Sequence, residues 1–115
     1  MQNLRSSLIL NESPDGNLTF TYEIKNVGSE MAILHFNTSQ IYEYEIFNKD
    51  HGRVYRYSDG KYFLQVLKEI RILPSESLSY DIKIPPLEKG EFTFTIWLVA
   101  QDGYQLKQSQ RFNVR

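Results

Sequence analysis

The stretch LTFTYEIK, residues 18–25, decides the fold class. Apolar or aromatic side chains stand at every second position of this stretch: Leu18, Phe20, Tyr22 and Ile24. The positions between them carry Thr, Glu or Lys. A period of two with one apolar face predicts a β-strand that packs on one side only.

The same kind of pattern continues on both sides of this stretch. Further strands are predicted at residues 4–10, 31–36, 41–47, 53–57, 69–73, 78–84, 91–99 and about 104–114. Turn signals separate them, including Ser-Pro-Asp-Gly at 13–16, His51-Gly52 and Asp102-Gly103. Residues 61–68 are the exception, because Tyr62, Phe63, Val66 and Leu67 stand at helical spacing. The chain is therefore predicted to be an all-β, immunoglobulin-like antiparallel β-sandwich with one short helical turn region.

Length and composition limit the classes of protein to which this chain can belong. The chain has 115 residues, enough for a single sandwich domain over 1–115. The formal net charge is -1, which predicts neither nucleic acid nor a membrane surface as a partner. The absence of Cys favours a reducing, cytoplasmic location. A secreted or cell-surface location is the alternative, because a domain trimmed of its leader has the same composition.

The sequence carries no recognisable set of catalytic, metal-binding or cofactor-binding residues. His35 lies in a predicted strand and His51 in a predicted turn, without the paired spacing of a metal site. Glu43 and Glu45 share a strand face, which we expect to be solvated. No nucleophile motif or glycine-rich phosphate loop is present. These observations argue against an enzyme and predict no cofactor.

Residues 54–63 stand out for their aromatic and basic side chains, which suit protein interfaces. The residues predicted to bind a protein partner are Tyr55, Arg56, Tyr57, Ser58, Lys61, Tyr62 and Phe63. An alternative interpretation has these rings covering the open edge of the sandwich core, and both interpretations can hold at once. Trp97 is a weaker candidate on the polar face of its strand.

Four elements of the sequence resemble the BsuPI-type intracellular proteinase inhibitor family. They are FNTSQIYEYEI at 36–46, HGRVYRYS at 51–58, FLQ at 63–65 and LPSE at 73–76. The resemblance runs from about residue 18 to the C-terminus. Ser39 and Ser75 stand where the family has Gly, and Leu64 stands where it has Thr. The two serines bear on local turn geometry, because Ser tolerates fewer backbone angles than Gly.

The resemblance implies a bacterial, cytoplasmic inhibitor of a subtilisin-like serine proteinase that acts by protein–protein binding. In that case an extended loop would enter the proteinase cleft. Exposed edge strands would allow a monomer or a weak homodimer. The alternative function is a non-catalytic, immunoglobulin-like interaction or accessory module of a cell-surface or secreted protein.

Overall fold

The computed structural model describes residues 3–101 and 105–115, and within them it contains nine strands and no helix. The strands are β1 (Leu4–Glu12), β2 (Leu18–Asn26), β3 (Ala32–Phe36), β4 (Tyr42–Asn48), β5 (Gly52–Arg56), β6 (Lys68–Ile72), β7 (Ser77–Lys83), β8 (Gly90–Leu98) and β9 (Gln108–Val114). Each lies within a few residues of a predicted strand. The predicted fold class, an all-β antiparallel sandwich of immunoglobulin-like type, is confirmed.

The strands form three sheets, in the orders β1-β2-β7, β3-β6 and β5-β4-β8-β9. The chain divides into two compact units. The first unit comprises Met1–Ala32 and Arg71–Leu87, and the second comprises Ile33–Ile70 and Glu88–Arg115. The division falls within both β3 and β6.

The core of the first unit follows the alternation from which the fold class was predicted. In β2, Phe20, Tyr22 and Ile24 are fully buried. The strand pairs with β1 on one side and with β7 on the other, so that Tyr22 lies between Leu8 and Tyr80. Burial raises the pKa of the Tyr22 hydroxyl well above its usual value.

Asn26 closes the end of β2 and is fully buried. Its side-chain Nδ2 donates to the carbonyl oxygens of Glu30 and Ile72, each at 2.8 Å, and its Oδ1 accepts from the amide of Gly28 at 2.9 Å. Its own backbone pairs with Ser75 and Glu76. Since a buried amide must be satisfied, this one side chain joins three segments of the first unit.

The core of the second unit is centred on β8. Phe92, Phe94, Ile96 and Leu98 are all buried, as the alternation predicts. Aromatic packing continues across the sheet, because the Phe92 ring stacks on Phe112 with 5.6 Å between centroids.

The structure differs from the sequence-based prediction in the segment before β6. The predicted helical turn at 61–68 is wrong, because residues 61–67 run without a turn, bend or helix. A single helical turn is costly to nucleate and needs a buried face, and here Tyr62, Val66 and Leu67 are all exposed.

The predicted Asp102-Gly103 hairpin lies outside the described residues. Within the described ranges, no helix is long and apolar enough to span a membrane.

Candidate protein-binding surface

The β4–β5 hairpin positions the aromatic stretch of the sequence. Its turn is built by Asn48, whose Oδ1 accepts hydrogen bonds from the amides of Asp50 and His51 at 2.8 and 3.0 Å. Gly52 follows with a φ of 78°, a left-handed conformation that favours glycine. A register irregularity at Ile46/Phe47 then sets the pairing of β5 with β4. The hairpin thereby brings the residues after β5 alongside the start of β4.

Aromatic rings from both strands form a continuous stack on this hairpin. Tyr57 stacks on Tyr42 and on Tyr44, with 5.0 Å between centroids in each case. Tyr44 also contacts Tyr55 at 5.7 Å and the core residue Phe94 at 5.1 Å. Burial and its tyrosine neighbours raise the pKa of Tyr44, so its ring stays neutral. The stack ties the hairpin to the core of the second unit.

Two further residues extend the stack toward solvent. The Phe63 ring lies 6.1 Å from the Tyr57 ring, and the Lys61 ammonium lies 4.8 Å from the Tyr57 centroid in a cation–π contact. Both residues come from the segment that follows β5. The aromatic stack therefore packs against the first residues of that segment.

Glu43 departs from the expectation that it would be solvated. The residue is only 3% exposed, whereas Glu45 is half-buried. Its Oε1 accepts from the backbone amides of Tyr44 and Ser58, each at 3.1 Å, and its Oε2 accepts from Arg56 Nε at 3.2 Å. The expectation of a solvated Glu43 is wrong because the chain after β5 folds back over this carboxylate. The nearest sequence signal was the cation of Arg56, thirteen positions later.

The electrostatic state of Glu43 follows from these contacts. Burial acts to raise the pKa of the carboxyl, but hydrogen bonds from Ser58 and Arg56 and the Arg56 charge outweigh it. The pKa of Glu43 therefore lies below its ordinary value, and the group is ionised at neutral pH. An ionised carboxylate that is buried requires such partners, so the charge fixes where Ser58 and Arg56 lie.

Two turns lead from Ser58 to an extended, exposed segment. The Asp59 amide donates to the Arg56 carbonyl, and the Lys61 amide donates to the Ser58 carbonyl, each at 3.1 Å. Residues 61–67, which we call the contact segment, then lead to β6 without a turn, bend or helix. Tyr62 is 100% exposed, Leu64 69% and Leu67 88%. Exposed apolar side chains of this density are typical of binding surfaces.

The contact segment is held at its centre by Ser39. The Leu64 amide donates to Ser39 Oγ at 2.9 Å, and the Leu64 carbonyl accepts from the Ser39 amide at 3.0 Å. Both bonds lie within the second unit. The segment is therefore fixed at three places: the turns at 56–61, Leu64, and the start of β6.

The predicted binding residues divide into two groups in the structure. Tyr55, Arg56, Tyr57, Ser58 and Phe63 are half-buried. The three aromatic residues belong to the aromatic stack, and Arg56 and Ser58 form the Glu43 cluster together with Glu43. Lys61 and Tyr62 are exposed on the contact segment. Three exposed apolar residues that were absent from the predicted set complete the segment: Leu64, Val66 and Leu67. The apolar spacing that signalled them was attributed to a helix.

His35 and Trp97, two residues considered from the sequence, each contact a charged side chain. His35 Nε2 lies 3.4 Å from Glu69 Oε1 on exposed side chains. These two residues and Leu67 line a shallow cleft of about 290 Å³ beside β3. Within residues 3–101 and 105–115, no group of His, Asp and Glu side chains is arranged to hold a metal ion. Trp97 is half-buried, with the Lys107 ammonium 5.4 Å from its ring.

The strands and the contact segment define a class: an immunoglobulin-like β-sandwich with an exposed, extended apolar segment held on one of its hairpins. The sequence of residues 6–103 matches the model of the BsuPI family, described as intracellular proteinase inhibitor. The chain belongs to this family. No curated protein matches the sequence.

Solved structures show where else this fold occurs. The chain is similar to part of β-glucosidase 3B from Thermotoga neapolitana in complex with glucose, with a TM-score of 0.53 and 19% identity over 98% of this chain and 16% of that one. It is also similar to part of DesR, a β-glucosidase from Streptomyces venezuelae, with a TM-score of 0.53 and 11% identity over 99% and 15%. The chain thus spans about a sixth of the length of these enzymes. At such identities the similarity shows the fold alone.

Proposed function

We propose that this chain inhibits a subtilisin-like serine proteinase of the bacterial cytoplasm by placing the contact segment in the proteinase cleft. The observation that carries the proposal is the mostly exposed run of residues 61–67 without a turn, bend or helix, in which Tyr62 and Leu67 lie almost entirely in solvent. Extended peptides bind clefts through main-chain hydrogen bonds, and alternate side chains fill pockets. Membership of a proteinase inhibitor family gives the partner class.

The supports of the segment suit an inhibitor. A binding segment held in its bound conformation loses little entropy on association, so more of the contact energy appears as affinity. The chain has no disulfide to hold a loop, because it has no Cys. The aromatic stack around Tyr57 and the Glu43 cluster supply that rigidity instead. In this proposal Tyr55, Arg56, Tyr57 and Ser58 support the segment that makes the contact.

The side chains of the segment suit an apolar pocket. In an extended chain, alternate side chains share a face, so Tyr62, Leu64 and Val66 form one strip. These three are exposed by 100%, 69% and 45%. The formal charge of -1 gives no strong field to steer a particular partner, which leaves the apolar strip as the source of affinity.

An inhibition assay tests the proposal directly. Purified protein is titrated against subtilisin and, separately, against trypsin, with hydrolysis of a chromogenic peptide as the readout. We expect micromolar protein to slow subtilisin, and Leu64→Ala to weaken that inhibition about tenfold or more, as for an interface residue at the centre of a contact. Leu73→Ala is the matched control, because Leu73 is also exposed, at 51%, but lies outside the contact segment.

The outcomes separate the two predicted functions. Folded protein that leaves subtilisin unaffected at micromolar concentration overturns the proposal and favours the alternative, an accessory module that needs no proteinase. Equal inhibition by the Leu64→Ala and Leu73→Ala variants would show that another surface makes the contact. Sedimentation of the free protein measures the predicted monomer or weak homodimer, for which the edge strands β5 and β9 are available.

A further inference from the structure

We infer that Ser39 is a positioning residue that protects the Leu64–Gln65 peptide bond from cleavage while the contact segment is bound. The inference rests on the proposed function above and adds a reason why the segment would act as an inhibitor rather than a substrate. The inference depends on the direction in which the amide and carbonyl groups of Leu64 point.

Ser39 binds both main-chain groups of Leu64. Its Oγ accepts from the Leu64 amide at 2.9 Å, and its own amide donates to the Leu64 carbonyl at 3.0 Å. The two bonds come from a single residue, so the Leu64 amide and carbonyl face the same side of the segment, toward the body of the second unit. Neither group is then available to a partner on the opposite side.

The neighbouring residues face the other way. In an extended chain the N–H and C=O of successive residues point to opposite sides. Phe63 and Gln65 therefore present their main-chain groups outward, and within the described part of the chain these groups form no backbone–backbone hydrogen bond. A strand of the proteinase cleft can pair with this outward row. The segment thus has one bonded side and one side available for pairing.

The chemistry of serine proteinases makes this direction matter. The serine hydroxyl adds to the carbonyl carbon of the bond that is cut, and hydrogen-bond donors of the oxyanion hole hold its oxygen. The Leu64 oxygen already accepts a hydrogen bond from Ser39 and faces its own protein. The Leu64 side chain is 69% exposed and free to enter an apolar pocket. Binding through Leu64 then occurs without placing its carbonyl in the oxyanion hole.

Limited proteolysis of a Ser39→Ala variant tests the inference. Wild type, Ser39→Ala and a control Ser109→Ala are incubated with a trace of subtilisin, and the cut bonds are mapped by mass spectrometry. Ser109→Ala removes a comparable side-chain hydrogen bond, the 2.9 Å contact with Thr95 Oγ, away from the segment. Ser39→Ala removes the Oγ that accepts from the Leu64 amide and keeps the backbone amide that binds the Leu64 carbonyl, so Leu64 is held by one hydrogen bond instead of two. Because the carbonyl is then held less firmly, we expect cutting at Leu64–Gln65 to be about three- to tenfold faster in Ser39→Ala and unchanged in Ser109→Ala, as expected for the loss of one hydrogen bond.

Amide hydrogen exchange gives a readout that needs no proteinase. The Leu64 amide is expected to exchange about three- to tenfold faster in Ser39→Ala, since it loses its acceptor. Faster exchange without faster cutting at Leu64–Gln65 would overturn the inference, and so would a first cut at that bond in the wild type. Faster exchange and faster cutting in a protein that does not inhibit subtilisin would support the protection by Ser39 and overturn the proposed function alone.

Discussion

The carboxylate of Glu43 and the guanidinium of Arg56 meet across the β4–β5 hairpin, with 3.2 Å between Oε2 and Nε. The pair is asymmetric, because the Glu43 side chain is 4% exposed and the Arg56 side chain 40%. The buried carboxylate also accepts a hydrogen bond from the Ser58 amide. This pair therefore connects the folding of the hairpin to the position of the contact segment.

The first prediction concerns the charge of Glu43. Glu43→Gln keeps the shape of the side chain but weakens the bonds from Ser58 and Arg56, which we expect to lower the free energy of unfolding by about 1–2 kcal/mol at pH 7. Screening of the half-exposed Arg56 keeps the loss below that of a fully buried pair. Urea denaturation measures it. Glu45→Gln is the control and should cost less, because Glu45 pairs with exposed Arg53.

The same pair predicts a pH dependence. The pKa of Glu43 in the folded protein lies below its ordinary value of 4.5. A lowered folded pKa means that the stabilisation is complete above the unfolded pKa and is lost as pH falls through the folded pKa. The stability difference between wild type and Glu43→Gln should therefore shrink as the pH is lowered from about 5 toward 3. A difference that grows on acidification would contradict the assignment.

A second prediction concerns the turn before β7. The Glu76 amide donates to the Leu73 carbonyl at 2.9 Å, so residues 73–76 form a β-turn with Pro74 in its second position. Ser75, in the third position, has a φ of 71°, a left-handed conformation that is costly for Ser. Ser75→Gly should raise the free energy of unfolding by about 0.5–1 kcal/mol, despite the entropy of Gly in the unfolded chain.

The matched control for that substitution is Ser77→Gly. Ser77 begins β7 in regular strand conformation, where Gly lowers stability. Thermal unfolding of both variants is the measurement, and the two shifts in Tm should have opposite signs. A lower Tm for Ser75→Gly would show that the turn does not strain the serine.

A third prediction concerns Asn26. Asn26→Ala removes three hydrogen bonds and deprives the carbonyl oxygens of Glu30 and of buried Ile72 of this donor, so we expect a loss in the free energy of unfolding of about 3 kcal/mol or more. Chemical denaturation gives the value. Asn113→Ala serves as control and should change stability by less than about 0.5 kcal/mol, because Asn113 is an exposed residue of β9. Similar small losses for both variants would contradict the role of Asn26.

A fourth prediction separates the stack from the contact surface. Tyr57→Ala removes a ring that stacks on Tyr42 and Tyr44, and we expect it to lower stability by about 2–4 kcal/mol. Tyr62→Ala should leave stability within about 0.5 kcal/mol, because the Tyr62 side chain is fully exposed. In the proteinase assay we expect Tyr62→Ala to weaken inhibition although the variant is fully folded. Relative to the stability that each variant loses, Tyr62→Ala should therefore weaken inhibition more than Tyr57→Ala. Thermal unfolding and the subtilisin assay together measure both effects.

The strands could be predicted because their signal is local. In β2 and β8 every second residue is apolar, and a pleated strand places those residues on one face whatever the rest of the chain does. The contact segment was misassigned for a related reason. The spacing of Tyr62, Phe63, Val66 and Leu67 also fits a helix, and spacing alone does not show whether a face is buried.

Glu43 shows what local patterning leaves undecided. It alternates with Tyr42 and Tyr44 as a solvated strand residue would, yet it is buried beneath the chain that follows β5. Its partners, Arg56 and Ser58, are thirteen and fifteen positions away. The path of the chain after β5 decides which charged residue is buried. No short window of sequence encodes that path.

The alternation of apolar and polar residues by itself determined that this chain forms β-strands with one buried face, because the period of a pleated strand is a property of the backbone. Tertiary structure alone decided that Ser39 binds both peptide groups of Leu64 and that the Glu43 carboxylate is buried, because those contacts join residues far apart in sequence. Hydrogen bonds have short range, so only the folded chain brings such partners within reach.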